Sequence, residues 1–301
     1  MPMRLLLATT RLLMTSLAIT TSFAVADAPA RCVLDDDGHR VCLERPAQRV
    51  VALSPGATEL VYAAGGGARM VAAVNYSDYP PEAAKLPQLG SNRRLDLEAL
   101  LALDPDLILV MPSGNPPEQV ATLRRLGRTL FISEPQTFEE VASSLERLSI
   151  LLGSEESGHQ AAADFRQGIE ALRLRYRDAA PVPLFYQVWD EPLMTVNNSH
   201  FIHQVIDLCR GDNLFAALPR QIPRISIESV LQRNPEAIVA GGMGEENTDW
   251  LDDWRHWPDL KAVQRDNLFF VAPSLIQRPT PRLLQGARDL CAHLDTARAR
   301  R

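Results

Sequence analysis

The sequence predicts an α/β protein of two Rossmann-like lobes joined by a single long backbone helix. Three observations carry that reading. Short apolar runs alternate with helical patterns, as in the βα units of a parallel sheet. The stretch 97–109 returns without a gap at 227–239, each time in the order helix, stop, proline, strand. Between the two copies lies a proline-free segment, 154–177, with an acidic start, a basic end and one apolar stripe at helical spacing.

In chain order, residues 1–26 read as a signal peptide. Arg4 and Arg11 supply the positive start, 12–25 is apolar and small, and Ala24-Val25-Ala26 is a small-x-small cleavage pattern. The mature chain is expected to begin near Asp27, and Cys32 has no lipobox before it. No later segment is apolar enough to span a bilayer, which takes roughly 20 apolar residues, so no stable membrane insertion is expected.

Residues 27–48 are expected to form a disulfide-stapled hairpin. A turn Asp36-Asp37-Gly38, with Gly38 in the left-handed position, sets Asp35 opposite His39 and Cys32 opposite Cys42. In an exported chain an even number of cysteines points to disulfides. Cys209 and Cys291 are then left to pair across about 80 residues, reduced buried thiols being the alternative for both pairs.

The first lobe is assigned to 49–153, with buried strands at 50–53, 70–74, 107–111 and 129–132 and helices at 58–64, 97–103 and 117–126. The connecting helix is assigned to 154–179. Phe165, Ile169, Leu172 and Tyr176 form its stripe, and its length is roughly 35 Å at 1.5 Å per residue. Such a strut restricts hinge motion. The second lobe, 180–298, repeats the pattern, with strands at 184–188, 237–240 and 268–271 and helices at 201–209, 227–232 and 281–294.

Composition narrows the function. The chain has 301 residues and a formal net charge of −6, which argues against nucleic acid or an anionic membrane as the main partner. No nucleophile elbow, P-loop or paired-histidine zinc motif is present. Gly65-Gly66-Gly67 follows a helix and suits a C-terminal cap rather than a nucleotide loop. His200 and His203 lack a third ligand, so no metal site and no resident cofactor are expected.

In an open α/β lobe the loops at strand carboxyl ends are the usual binding positions. Four are informative. Ser54-Pro55-Gly56-Ala57-Thr58-Glu59 leaves the first strand, where Thr58 is a candidate helix cap. Asn75-Tyr76-Ser77-Asp78-Tyr79-Pro80-Pro81 leaves the second, Trp189-Asp190-Glu191-Pro192 opens the second lobe, and Gln277-Arg278-Pro279-Thr280-Pro281-Arg282 leads into the last helix. Aromatics from both lobes suit a flat, partly apolar ligand with polar edges.

The passage from Val50 to Leu60, the run Tyr76-Ser77-Asp78-Tyr79-Pro80, and Leu97-Glu98-Ala99-Leu100 with Asp104-Pro105-Asp106-Leu107-Ile108 together resemble the periplasmic-binding proteins for cobalamin, haem and ferric siderophores. The resemblance covers roughly 47–295, and the Tyr76–Pro80 run points to the cobalamin branch, as does the Cys209–Cys291 pairing that the family implies. It implies a periplasmic, monomeric carrier that is not an enzyme. Such a carrier holds cobalamin or a related corrinoid between its lobes and delivers it to an ABC transporter permease dimer. It further implies that Ser54, Pro55 and Tyr76 line the corrin site and that Trp189 faces them. Where the cobalamin branch often carries tryptophans, this chain has Ser91-Asn92-Arg93 and Met111-Pro112-Ser113, which leaves a modified corrinoid or another large ligand open. Arg93, Arg94 and Arg278 keep a ferric siderophore in view, and a haem carrier needs an axial tyrosine or histidine. An exported α/β enzyme is the reading from another class. The family also docks through one exposed glutamate per lobe, for which Glu118 and either Glu245 or Glu246 stand near the matching positions.

Overall fold

A computed structural model describes residues 30–301 apart from Asn92 and Met243; the expected signal peptide lies outside the described residues. Strands β1 (Arg31–Leu34) and β2 (Arg40–Leu43) form the hairpin. Cys32 pairs with Cys42, Asp35 N–H donates to the His39 carbonyl at 2.9 Å, and Gly38 has φ +78°. Both disulfides are formed, Cys32–Cys42 and Cys209–Cys291. The hairpin binds the edge of the first sheet: Asp36 N–H reaches the Ile132 carbonyl at 3.0 Å, and its carboxylate pairs with Arg147 at 2.6 Å.

Two four-stranded parallel sheets follow. The first contains β3 (Val50–Ala52), β4 (Met70–Ala73), β5 (Leu107–Val110) and β6 (Leu130–Ile132), in the order β4-β3-β5-β6. The second contains β7 (Val182–Gln187), β8 (Gly211–Asn213), β9 (Ala237–Ala240) and β10 (Leu268–Phe270), in the order β10-β9-β7-β8. Counted within each sheet, both read second, first, third, fourth. The chain therefore builds one topology twice, and the repeated stretch supplies the helix and third strand of each copy. Because strand order reverses between first and third strands, each sheet has its switch point there.

The helices are α1 (Pro55–Ala63), α2 (Leu97–Ala102), α3 (Pro117–Arg125), α4 (Phe138–Leu152) and α5 (Glu155–Tyr176). They continue with α6 (Phe201–Leu208), α7 (Ile227–Arg233), α8 (Asp249–Asp253), α9 (Lys261–Gln264), α10 (Pro273–Ile276) and α11 (Leu283–Ala299). The expected long helix is α5, starting one residue later and ending one residue earlier than the 154–177 segment. Phe165, Ile169, Leu172 and Tyr176 are its buried stripe. One apolar cluster runs from the inner face of the first sheet through α4 and α5 to the second sheet and α11. Separate clusters fill the outer face of each sheet.

Some expectations change. The first helix begins at Pro55 rather than 58, because Ser54 caps it: the Ala57 N–H donates to Ser54 Oγ at 3.0 Å. Thr58 instead donates to Ser77 Oγ at 3.1 Å. The helix expected at 281–294 is α11, which starts two residues later, after Pro281, and runs on to Ala299; the short α10 before it is additional. Helix α4 is additional. Its signal was a capping box, in which Thr137 and Glu140 satisfy each other's backbone N–H groups.

Candidate functional site

The carboxyl ends of β3 and β4 meet the 278–282 segment of the second half. The meeting point is Glu59, in the middle of α1, whose side chain is 2% exposed. Its Oε1 accepts from Arg278 Nη1 at 2.8 Å and Arg282 Nη1 at 3.1 Å, and its Oε2 accepts from Thr280 Oγ1 at 2.7 Å. A buried carboxylate holds its charge only when so compensated. Gly56, one turn earlier, lies against this segment: a Cβ there would stand 3.7 Å from Thr280 Cγ2 and 3.8 Å from Arg278 Cβ. Behind the ion pair, Glu59, Tyr62, Tyr79, Pro80, Pro281 and Arg282 line a cavity of about 430 Å³.

Arg278 extends beyond Glu59. Its Nη1 lies 3.4 Å from Asp78 Oδ1, and its Nη2 donates to the Tyr76 carbonyl at 3.5 Å. Tyr76 has φ +66° and is 80% exposed, so a bulky residue holds a left-handed backbone and offers its ring to solvent. That geometry is uncommon for a side chain of this size and marks functional positions more often than packing positions. Tyr79, three residues on, carries Arg282 over its ring at 3.9 Å.

The structure thus brings Ser54, Pro55, Tyr76 and Arg278 to one junction. Ser54 is buried; its Oγ accepts the Ala57 N–H in the α1 cap and its hydroxyl donates to Met111 Sδ at 3.8 Å, so it shapes the turn rather than presenting a donor. Trp189, 39% exposed, follows β7 and rests edge-on against Trp250 at 5.9 Å, its Nε1–H bonded to the Glu191 carbonyl. Beside it, burial raises the Asp190 carboxyl above its ordinary range, with Asp253 and Glu191 adding to the shift. On the opposite edge of the first sheet, Gln204 donates to the Gln136 carbonyl, and Gln221 Nε2 reaches Gln136 Oε1 at 3.0 Å. The two halves are bridged at both edges.

Of the glutamates expected to dock a partner, Glu118 stands exposed in the first turn of α3. Glu246 is exposed as well, whereas Glu245 accepts from Ser274 Oγ at 2.7 Å, and that oxygen also accepts from Arg282 at 3.3 Å. Sequence reasoning gave no role to Glu59, Thr280, Arg282 or Trp250. An acidic residue inside an otherwise apolar helix face was the available signal for Glu59. Among the described residues, no group of three or more His, Cys, Asp or Glu side chains could hold a metal ion.

The family model for periplasmic binding proteins matches residues 50–275. The chain belongs to the periplasmic binding protein family. A vitamin B12-binding protein of Vibrio cholerae serotype O1 is 39% identical over 253 residues, which is 84% of this chain and 91% of that relative. Another from Photorhabdus laumondii is 37% identical over 82% of this chain and 88% of its own length. Among solved structures, the periplasmic vitamin B12 binding protein BtuF of Vibrio cholerae superposes with a TM-score of 0.77 at 38% identity. It covers 84% of this chain and 98% of its own. The periplasmic heme-binding protein RhuT from Roseiflexus superposes at 0.74 with 25% identity, covering 83% and 99%. Among the described residues, no helix is long and apolar enough to cross a membrane.

Proposed function

We propose that this protein captures cobalamin or a related corrinoid between its two halves and delivers it to an ABC transporter permease dimer. On this reading it is exported through a cleaved signal peptide, acts in the periplasm as a monomer and performs no chemistry on its cargo. The observation that carries the reading is the exposed aromatic pair, Tyr76 from one half and Trp189 from the other, each at a strand carboxyl end. A flat ligand that covers these rings removes apolar surface from water, a gain of about 25 cal/mol per Å². A corrin is flat, apolar on its faces and fringed with amides, so ring stacking and polar rim contacts both apply. Arg278 is assigned to the rim, and Ser54 and Pro55 to the turn beneath it. Kinship across most of the chain with vitamin B12-binding proteins supports the same cargo.

Haem is the second reading, because Tyr76 offers the phenol that an axial ligand requires. One measurement separates the two. The protein is purified from cells supplied with cobalamin, and its visible spectrum is recorded. Corrinoid bands that copurify at one equivalent support the proposal. A Soret band assigns haem, and a colourless protein that fails to take up added cyanocobalamin rejects both.

A further inference from the structure

We infer that Glu59 is the positioning residue of the ligand cleft: its buried carboxylate, fixed in one half, holds Arg278 of the other, and through Arg278 the Tyr76 backbone. The inference rests on the corrinoid reading for the identity of the ligand, but its geometry stands independently.

Among the described residues, every ion pair between 49–153 and 180–298 belongs to this cluster: Arg278 with Glu59, Arg278 with Asp78, and Arg282 with Glu59. Three donors from the second half converge on one carboxylate that has no water to fall back on. Displacing the halves by about an ångström would break bonds of this length and leave an uncompensated buried charge. The carboxylate therefore sets the separation of the halves more sharply than apolar packing, which is non-directional.

The same contact reaches the ligand-facing ring. Tyr76 is too exposed for its ring to be oriented by packing, so its direction follows from its backbone, which holds φ +66°. The carbonyl of that residue lies 3.5 Å from Arg278 Nη2. The next aromatic of the loop, Tyr79, lies under Arg282. Glu59 anchors both arginines, so one buried group governs where both tyrosines stand without itself touching the cleft surface. Asp78, 58% exposed at the rim, is the second negative group facing the two arginines and pairs only with Arg278.

The test is Glu59→Gln, which keeps the side-chain volume and a hydrogen-bonding carbonyl but deletes the charge. Cyanocobalamin affinity is measured by calorimetry. The separation of the halves is measured by spin labels on exposed Ala121 of α3 and Lys261 of α9. The expected result is a loss of affinity of ten-fold or more with a broadened distance distribution, while thermal unfolding remains cooperative. Affinity within two-fold of the parent and an unchanged distribution would overturn the inference. Should Glu59→Gln fail to fold, Thr280→Val removes at nearly equal volume the hydroxyl that donates to Oε2 at 2.7 Å and accepts the Arg282 N–H at 3.3 Å. A three-fold or greater loss then supports the inference, and unchanged affinity overturns it. If the parent itself does not bind cyanocobalamin, the corrinoid reading fails. The distance distribution alone then decides: broadening supports the positioning role, and no change defeats it.

Discussion

Asp104 and Asn234 occupy the same left-handed turn in the two halves, with φ +42° and +46°, each just before the proline that precedes a third strand. Asp and Asn tolerate this conformation better than most residues. Alanine there is expected to cost about 1 kcal/mol at position 104. Asn234→Ala should cost more, about 2 kcal/mol, because Asn234 Oδ1 accepts the Lys261 N–H at 2.9 Å, whereas the Asp104 carboxylate makes only an exposed ion pair with Arg128, of small worth. Urea unfolding of both variants checks the order, and equal losses would show that the Lys261 bond contributes no more than the Arg128 pair.

That turn explains why so much of the fold was legible. Helix stop, proline and apolar strand are local signals, and local signals repeated without a gap give the topology twice. The hairpin was legible for the same reason, since Gly38 and the two cysteines fix its register. Strand β8 was not, because Gly-Asp-Asn carries no apolar pattern and is held by pairing with β7 and by the Asn213 side chain, which donates to the Val196 carbonyl at 2.9 Å. The junction was legible in part. Tyr76 announces itself as an aromatic in a loop. Glu59, however, meets Arg278 across 219 residues of sequence, a distance over which no spacing rule operates.

The two disulfides should differ in what they stabilise. Constraining the unfolded chain contributes about 2.5–3 kcal/mol for a loop of ten residues and about 4.5 for one of 82, matching the separations here. Cys32→Ala with Cys42→Ala should loosen mainly the hairpin. Cys209→Ala with Cys291→Ala, both fully buried between α6 and α11, should lower the unfolding midpoint of the whole protein further. Denaturant titration of the two double variants decides; a larger loss from the hairpin pair would contradict the loop-length account.

Acid should destabilise the protein through His200. Burial lowers its pKa to about 4, and its Nδ1 already accepts the Ile202 N–H as the cap of α6. Above the ordinary value of 6.5 the ring is neutral in both states and contributes no pH dependence. As pH falls from 6.5 towards 4, the unfolded chain takes up a proton that the folded chain refuses, so stability drops. The loss reaches at most about 3 kcal/mol and is complete below the folded pKa. His200→Asn keeps a good cap without a titrating group and should flatten the slope between pH 6.5 and 4. An unchanged slope would place the acid sensitivity elsewhere.

The cleft aromatics should contribute unequally. Tyr76→Ala removes a ring that is 80% exposed, and is expected to weaken corrinoid binding by about 2–3 kcal/mol. Trp189→Ala uncovers Trp250, which already packs edge-on against it and can take up part of the contact, so the loss should be nearer about 1 kcal/mol. Calorimetry with cyanocobalamin tests both. Unchanged affinity in both variants would remove these residues from the site.

Docking should be separable from capture, provided the right glutamates are reversed. Glu245 is a poor choice, because it holds Ser274, whose hydroxyl also receives Arg282, and Arg282 reaches Glu59. A lysine there would push a cation into the chain of contacts that fixes the cleft, and ligand affinity would fall for reasons unrelated to the permease. Glu118 and Glu246 stand exposed, one in each half, and carry no such connection to Glu59. Two separated carboxylates meeting two basic groups fix orientation as well as attraction, and exposed charges act mainly on association rate and are screened by salt. Glu118→Lys with Glu246→Lys should therefore leave cyanocobalamin affinity within about two-fold, a change of less than about 0.5 kcal/mol. Association of the loaded protein with its permease should slow by an order of magnitude or more at low ionic strength, with the difference shrinking as salt is raised. Uptake assays at limiting ligand, run beside calorimetry on the same variant, make the separation. If uptake remains normal, the two carboxylates are ordinary surface charge and the docking face lies elsewhere.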